Sequence, residues 1–265
     1  MPHLVIERFR LFPDFLTSPR STGRLESRTE NAKAGAYLLE AAGAAASCIF
    51  IAGSICFVPQ YADNIATLFA GCMLFIIGSV IYCFICTVTL SEALLRRCSN
   101  YEIWENAMYL AGSALYVVGS VLYLPARVDI IEMSMMSISL SQVCALSSIK
   151  DRQYYGTVLF IVGSFLFVVA AFVNALNPRR ADETSSRLVT GTTSCYMIGS
   201  LLFAVGSVTF LPRFGCTPDL LALGAWCFIW GSAFFLLGDI LSFCRVIHHY
   251  NSIVDKGSDQ RSLLA

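Results

Sequence analysis

One eight-residue word, aromatic-x-x-Gly-Ser-x-x-aromatic, occurs six times in this chain of 265 residues. The copies are Phe50/Gly53/Ser54/Phe57, Phe75/Gly78/Ser79/Tyr82, Tyr116/Gly119/Ser120/Tyr123, Phe160/Gly163/Ser164/Phe167, Phe203/Gly206/Ser207/Phe210 and Phe228/Gly231/Ser232/Phe235. Self-similarity of this kind marks a repeat protein. Each copy lies in an uncharged apolar run: Ala41–Ala62, Asn64–Ser91, Asn106–Ala126, Gln153–Pro178, Leu188–Pro212 and Leu220–Gly238. Each run is near or above the roughly 20 residues a helix needs to cross the hydrocarbon core. A backbone in lipid must satisfy its own polar groups, and the runs lack the alternation of barrel strands, so they are read as helices. Hydrophobic residues make up 56% of the chain and charged ones 14%. A soluble domain of this size has no interior large enough for all six runs. The expected fold is an all-α integral membrane protein with six transmembrane helices, arranged as three parallel-repeat helical hairpins.

The hairpins follow from proline. In copies one, three and five, Pro59, Pro125 and Pro212 stand two residues past the second aromatic, where they end a helix. Odd helices therefore stop and return as even ones. The expected organisation is an N-terminal tail over 1–33, a membrane domain over 34–246 and a C-terminal tail over 247–265. The units are about 34–91, 101–178 and 188–246. The middle unit carries an extra segment, 128–150, whose Ile130–Ile149 stretch is read as an amphipathic piece at the outer interface and not as a seventh span.

Charge sets the orientation. Of 18 Lys and Arg residues, only Arg127, Lys150, Arg152 and Arg213 fall on the side reached by the odd helices. The positive-inside rule then places both termini in the cytosol. The first span would serve as the insertion signal, because the opening MPHLVIERFRLFPDF is too charged for a secretory leader. Tyr250–Ile253 and Asp259–Leu264 resemble endocytic sorting strings, and they suggest a plasma or endomembrane location.

A second small residue stands seven positions before each motif Gly: Ala46, Gly71, Gly112, Gly156, Gly199 and Gly224. Seven residues are nearly two turns, so both small residues share one face. Small residues on one face let helix backbones approach closely in lipid, where van der Waals packing drives association. Gly53, Gly78, Gly119, Gly163, Gly206 and Gly231 are therefore the expected helix-packing residues. The flanking aromatics are placed to fill grooves on neighbouring helices. The serines have two readings: packing glue, or a polar path lined by Ser54, Ser120 and Ser207.

The pieces GSALYVVGSVLYLP (Gly112–Pro125) and GSLLFAVGSVTFLP (Gly199–Pro212), each followed by a return helix with FIVGS or FIWGS, resemble the YrhK-like family of small two-helix membrane units. The resemblance extends over most of Ala34–Val246 as three units, with Ala46-Ser47 in the first where the others have Gly-Ser. It implies a fold and no established chemistry.

The residues themselves offer little chemistry. Glu40 and Asp239 are read near the cytosolic ends of the first and last spans, with Glu102 and Glu105 at the start of the third. One reading gathers Glu40, Glu105 and Asp239 into a cation-attracting vestibule; the other leaves them as interfacial charge paired with Arg96, Arg97 or Arg245. Cys83-x-x-Cys86 lacks a partner pair and His248-His249 lacks further ligands, so no metal is expected. No catalytic residue and no cofactor is expected. Formal net charge is zero, with no basic stripe for nucleic acid. The expected partners are the lipid bilayer, further copies of the chain or other membrane proteins. The sequence thus suggests a non-catalytic multi-pass protein that packs through Gly-Ser/aromatic faces. The alternative is a small transporter or channel with its path on the axis of the hairpins.

Overall fold

A computed structural model of the chain describes residues 24–62, 64–124, 147–176, 183–214 and 217–262. Among the described residues seven helices form: α1 (Arg24–Cys56), α2 (Pro59–Ala62), α3 (Ile65–Leu95), α4 (Asn100–Tyr123), α5 (Ser147–Leu176), α6 (Glu183–Thr209) and α7 (Pro218–Ser262). A single 3-10 turn covers Pro212–Phe214. No strand occurs among the described residues.

Local chemistry sets several ends. The Asn64 side chain accepts a bond from the Ala66 N–H at 2.9 Å and so caps α3. α3 closes at Arg97, whose φ of 49° lies in the left-handed region. The Cys98 N–H reaches Ala93 O at 3.0 Å and the Arg97 N–H reaches Leu94 O at 3.2 Å. That pair of bonds is a Schellman turn, built here on Arg where glycine is usual. Ser99 then caps α4 by accepting from the Glu102 N–H. This turn is tight enough to set α4 directly against α3.

Some boundaries differ from the sequence reading. α1 begins at Arg24, inside the stretch assigned to the N-terminal tail, and α7 continues well past residue 246. Helix propagation adds a bond per residue, and no Pro interrupts either segment. Of the extra segment 128–150, residues 147–150 open α5 and the rest lies outside the described residues. Cys144, Cys216 and Leu263-Leu264 also lie outside them.

The six long helices close into a ring. α1 packs on α3, α3 on α4, α4 on α5, α5 on α6, α6 on α7, and α7 back on α1. Five of them contain stretches long and apolar enough to cross a membrane: Lys33–Cys56, Ala66–Leu95, Asp151–Leu176, Thr184–Thr209 and Pro218–Asn251. The burial pattern inverts that of a soluble protein. Large apolar side chains such as Phe84, Phe165, Phe172, Trp226 and Trp230 point outward, while Ser47, Thr157, Ser164, Ser200 and Ser232 are fully buried. Water would penalise that exterior, whereas hydrocarbon accepts it.

Candidate functional site

The ring has two halves along its axis. One half carries the α1–α3 turn at Pro59 and is filled with aromatic side chains. Phe75 sits at its centre, with ring centroids 5.3 Å from Phe50, 5.4 Å from Phe57, 6.4 Å from Phe160, 6.2 Å from Phe203 and 6.1 Å from Phe228. The first aromatic of every motif copy is buried in this plug. A void of only about 20 Å³ remains among Phe57, Cys72, Phe75, Tyr123, Phe160 and their neighbours, with no polar surface. An apolar void of that size has no partners for a water molecule.

The glycines make the plug. Within each antiparallel pair, the first aromatic of one copy lies on the motif Gly of the other: Phe75 on Gly53 and Phe50 on Gly78, Phe160 on Gly119 and Tyr116 on Gly163, Phe228 on Gly206 and Phe203 on Gly231. The second aromatic covers the small residue seven back, as Phe167 covers Gly112 and Phe235 covers Gly199. A Cβ at Gly163 would stand 2.8 Å from the Tyr116 ring and one at Gly231 2.6 Å from the Phe203 ring. The backbones touch as well, with Gly163 O and Gly112 O each 3.1 Å from the Cβ position of the facing glycine.

Five motif serines turn their hydroxyls back into their own helix. Ser54 donates to Phe50 O, Ser120 to Tyr116 O, Ser164 to Phe160 O, Ser207 to Phe203 O and Ser232 to Phe228 O, at 2.7–2.8 Å. The residues suggested for a polar path, Ser54, Ser120 and Ser207, thus spend their protons locally, and Ser120 borders the dry void. Ser79 is the exception. It is buried, and its hydroxyl has no partner among the described residues.

Ser79 faces the other half of the ring, towards the termini. There the axis opens into a cavity of about 710 Å³. Its floor is Phe50, Tyr116 and Phe203, and its walls include Tyr82, Tyr109, Phe167, Tyr196 and Phe235. Among the described residues five acids line it, Glu40, Glu92, Glu102, Glu105 and Asp239, against one arginine, Arg245. The structure thus brings Glu40, Glu105 and Asp239 together around one space. Glu40 Oε1 accepts from Ser242, and Arg245 lies 3.4 Å from that same hydroxyl. Arg96 lies 3.8 Å from Glu92 on the same helix face. Among the described residues no group of three His, Cys, Asp or Glu is arranged to hold a metal ion.

Asp239 is the acid the sequence misplaced. It is 97% buried and takes three hydroxyl donors. Ser47 donates to Oδ2 at 2.6 Å, Tyr82 to Oδ2 at 3.0 Å and Tyr196 to Oδ1 at 2.6 Å. Ser47, Tyr82 and Tyr196 each stand near the middle of an apolar stretch, in Lys33–Cys56, Ala66–Leu95 and Thr184–Thr209 respectively. The carboxyl therefore sits inside the ring, well within α7 and not at a helix end. A readable signal existed in the spacing from the motif glycine. Ten residues before it, the odd copies carry Tyr109, Tyr196 and Gly43; eight residues after it, the even copies carry Cys86, Ala171 and Asp239. The missing side chain at Gly43 is the space the carboxyl fills, since a Cβ there would stand 3.2 Å from Oδ1. Ser47 departs from its counterparts too. Ser113 and Ser200 donate to Tyr109 O and Tyr196 O, whereas Ser47 donates across to α7.

Residues 99–178 and 186–247 match the model of the family described as YrhK-like protein. The chain belongs to the YrhK-like family. The two matched stretches of this YrhK-like chain contain α4 with α5, and α6 with most of α7. The match leaves out α1 and α3, the pair in which Ala46 and Gly43 depart from the other units. Neither the curated proteins nor the solved structures give a match to the chain.

The remaining sequence candidates fall at the ring's termini end. Tyr250, the tyrosine of the sorting-like string, is buried against Ala36, Val246 and Tyr37, with Lys33 5.9 Å from its ring. In that place it is not presented to a sorting receptor. Cys83 and Cys86 are free thiols, as are Cys98 and the exposed Cys244.

Proposed function

We propose that this YrhK-like chain is a six-span membrane protein that binds, and as a transporter moves, a small molecule through the termini half of its axis. Five spans are evident by length and hydropathy; α4 is read as the sixth. Its tyrosines and Asn106 lower its mean hydropathy, but the polar residues among them face inward. Glu105, Asn106, Ser113, Tyr116 and Ser120 are buried, whereas Ala111, Ala114, Val118 and Val121 are exposed. That is the face a lipid-lining helix presents. The helices read as three hairpins with internal Gly-Ser repeats, both termini in the cytosol by the basic-residue count. The reading is one of a non-catalytic protein of the plasma or an endomembrane.

The observation that carries the reading is the acid-lined cavity ending at Asp239. An ionisable group held at mid-depth is costly, and it usually marks a ligand or ion pathway. A cavity of this size suits a drug-sized ligand. The alternative of a scaffold that packs on partners through its glycine faces has less support, because those faces are engaged within the chain. The plug seals the far half, so the described arrangement corresponds to a state closed on the side of Pro59.

Two cysteines on one helix test this. Cys86 borders the cavity and Cys72 the dry void, and both are buried. The full chain in nanodiscs is treated with N-ethylmaleimide and the modified sites are read by mass spectrometry. Cys86 is expected to be modified and Cys72 spared. Equal modification, or modification of neither, would remove the cavity as a water-reached site.

A further inference from the structure

We infer that the cavity is a site for a protonated primary or secondary amine carried on an apolar body, with the ammonium group between Asp239 and Ser79. The inference rests on the binding role proposed above and names its ligand class.

Charge is the first argument. Five acids and one arginine line the space, so its balance is negative, and a low-dielectric wall focuses that field. Among the described residues the groups bonded to Asp239 are hydroxyls and not cations, so an anion would meet its carboxyl directly. A neutral ligand would leave that charge uncompensated at mid-depth, where its cost is greatest.

Shape and surface are the second. Phe50, Tyr82, Tyr116, Tyr196, Phe203 and Phe235 enclose the inner end. Aromatic faces attract an organic cation and bury its hydrocarbon part at once, which a hydrated metal ion does not exploit. Most of the lining is apolar, so a compact, fully polar cation such as free ammonium leaves much of the wall unused.

The third argument separates N–H-bearing amines from quaternary ammonium ions. Ser79 alone among the motif serines withholds its hydroxyl from its own helix, and that hydroxyl is unpartnered and buried at the cavity wall. It stands one turn from Tyr82 on α3, and Tyr82 bonds Asp239. A buried hydroxyl without a partner is unfavourable, and a ligand donor or acceptor relieves it. Asp239 keeps acceptor capacity too, because among the described residues Oδ1 receives one donor against two on Oδ2. An ammonium has N–H donors to offer such acceptors; a quaternary ion has none.

The departure of the first hairpin fits the same purpose. Gly43 stands where Tyr109 and Tyr196 stand in the other units. A tyrosine there would occupy the place of the Asp239 carboxyl. The acid and the vacancy that holds it come from different ends of the chain, α7 and α1, and they meet only at the seam that closes the ring.

The test uses three molecules built on one phenylethyl body: phenethylamine, 2-phenylethanol and 3-phenylpropanoate. Binding to the full chain in nanodiscs is measured by isothermal titration calorimetry at neutral pH. Phenethylamine is expected to bind saturably, at least tenfold tighter than 2-phenylethanol, with no binding of 3-phenylpropanoate. Asp239→Asn is expected to weaken the amine at least tenfold and to abolish its advantage over the alcohol. Ser79→Ala, which removes no structural bond, is expected to weaken the amine about threefold and leave the alcohol unchanged. Absence of saturable amine binding, equal binding of the alcohol, or unchanged amine affinity in both variants overturns the inference. Should Asp239→Asn fail to fold, Ser79→Ala alone decides it. Modified Cys86 with no amine preference would keep the cavity and discard the amine. Unmodified Cys86 would remove the cavity reading, and the calorimetry still answers for the ligand.

Discussion

The two halves of the ring are built from the same six words and behave differently. In the Pro59 half the words face one another, and every aromatic finds a glycine on the opposite helix. That half is dry. In the termini half the motif aromatics form only the floor and part of the walls, and eight residues past the even motif glycines stand Cys86, Ala171 and Asp239. No large apolar side chain meets at the axis there, so a cavity remains. Close packing in lipid thus comes from shape complementarity between small and large residues, and a cavity opens where that complementarity stops.

The comparison predicts unequal tolerance of substitution. The largest effect belongs to the glycines of the plug. Gly163→Leu or Gly231→Leu drives a branched side chain into a ring 2.6–2.8 Å from the first added carbon, with facing backbone close behind. Overpacking of that kind exceeds the usual range of about 1–3 kcal/mol because backbone cannot rotate away. Both variants are expected to lose the monodisperse peak in size-exclusion chromatography. A normal peak from either would mean the plug is looser than its geometry. Gly43→Ala, at the cavity end, is expected to give a normal peak, since its neighbour is the tip of one side chain.

Next comes the centre of the plug. Phe75→Ala removes a ring touched by five others and leaves a hole that lipid cannot reach. The expected cost is about 3–5 kcal/mol, read as a lower thermal midpoint in nanodiscs. A midpoint within error of the parent would show that the neighbouring rings collapse into the space.

Smaller effects are expected around Asp239. Tyr82→Phe and Tyr196→Phe each delete one donor to the carboxyl. A bond to a charged group is worth about 1.5–3 kcal/mol. The double variant is expected to cost less than the sum, because both donors serve one acceptor. Strict additivity in thermal unfolding would argue that the hydroxyls act independently.

The smallest effect separates two serines that look alike in the sequence. Ser207→Ala loses a bond to its own helix and is expected to change stability by about 0.6 kcal/mol or less. Ser47→Ala breaks the seam between α1 and α7 at Asp239 and should cost clearly more. Equal midpoints for the two variants would erase the distinction between local and seam serines.

Much of this was legible in the chain. The six apolar runs predicted long helices, and the motif glycines predicted close contacts that the ring realises in antiparallel pairs. Pro59 and Pro212 stand where odd helices stop. The glutamates were less legible, because a charge near a helix end reads the same whether it faces water or a cavity. Asp239 was misread outright. Counting residues from the end of the apolar run put it near an interface. Its place inside the ring is set by the partners that reach it from three other helices, at Ser47, Tyr82 and Tyr196.

The sequence by itself determined the helices, their pairing faces and the aromatic filling, because each rests on periodicity and on residue size along one segment. Only the tertiary structure decided that α7 returns to α1 to close a ring. With that closure, the gap at Gly43 meets the carboxyl of Asp239, nearly two hundred residues away in a chain of 265. Local pattern fixes which face a residue occupies; what stands opposite that face depends on how the last helix finds the first.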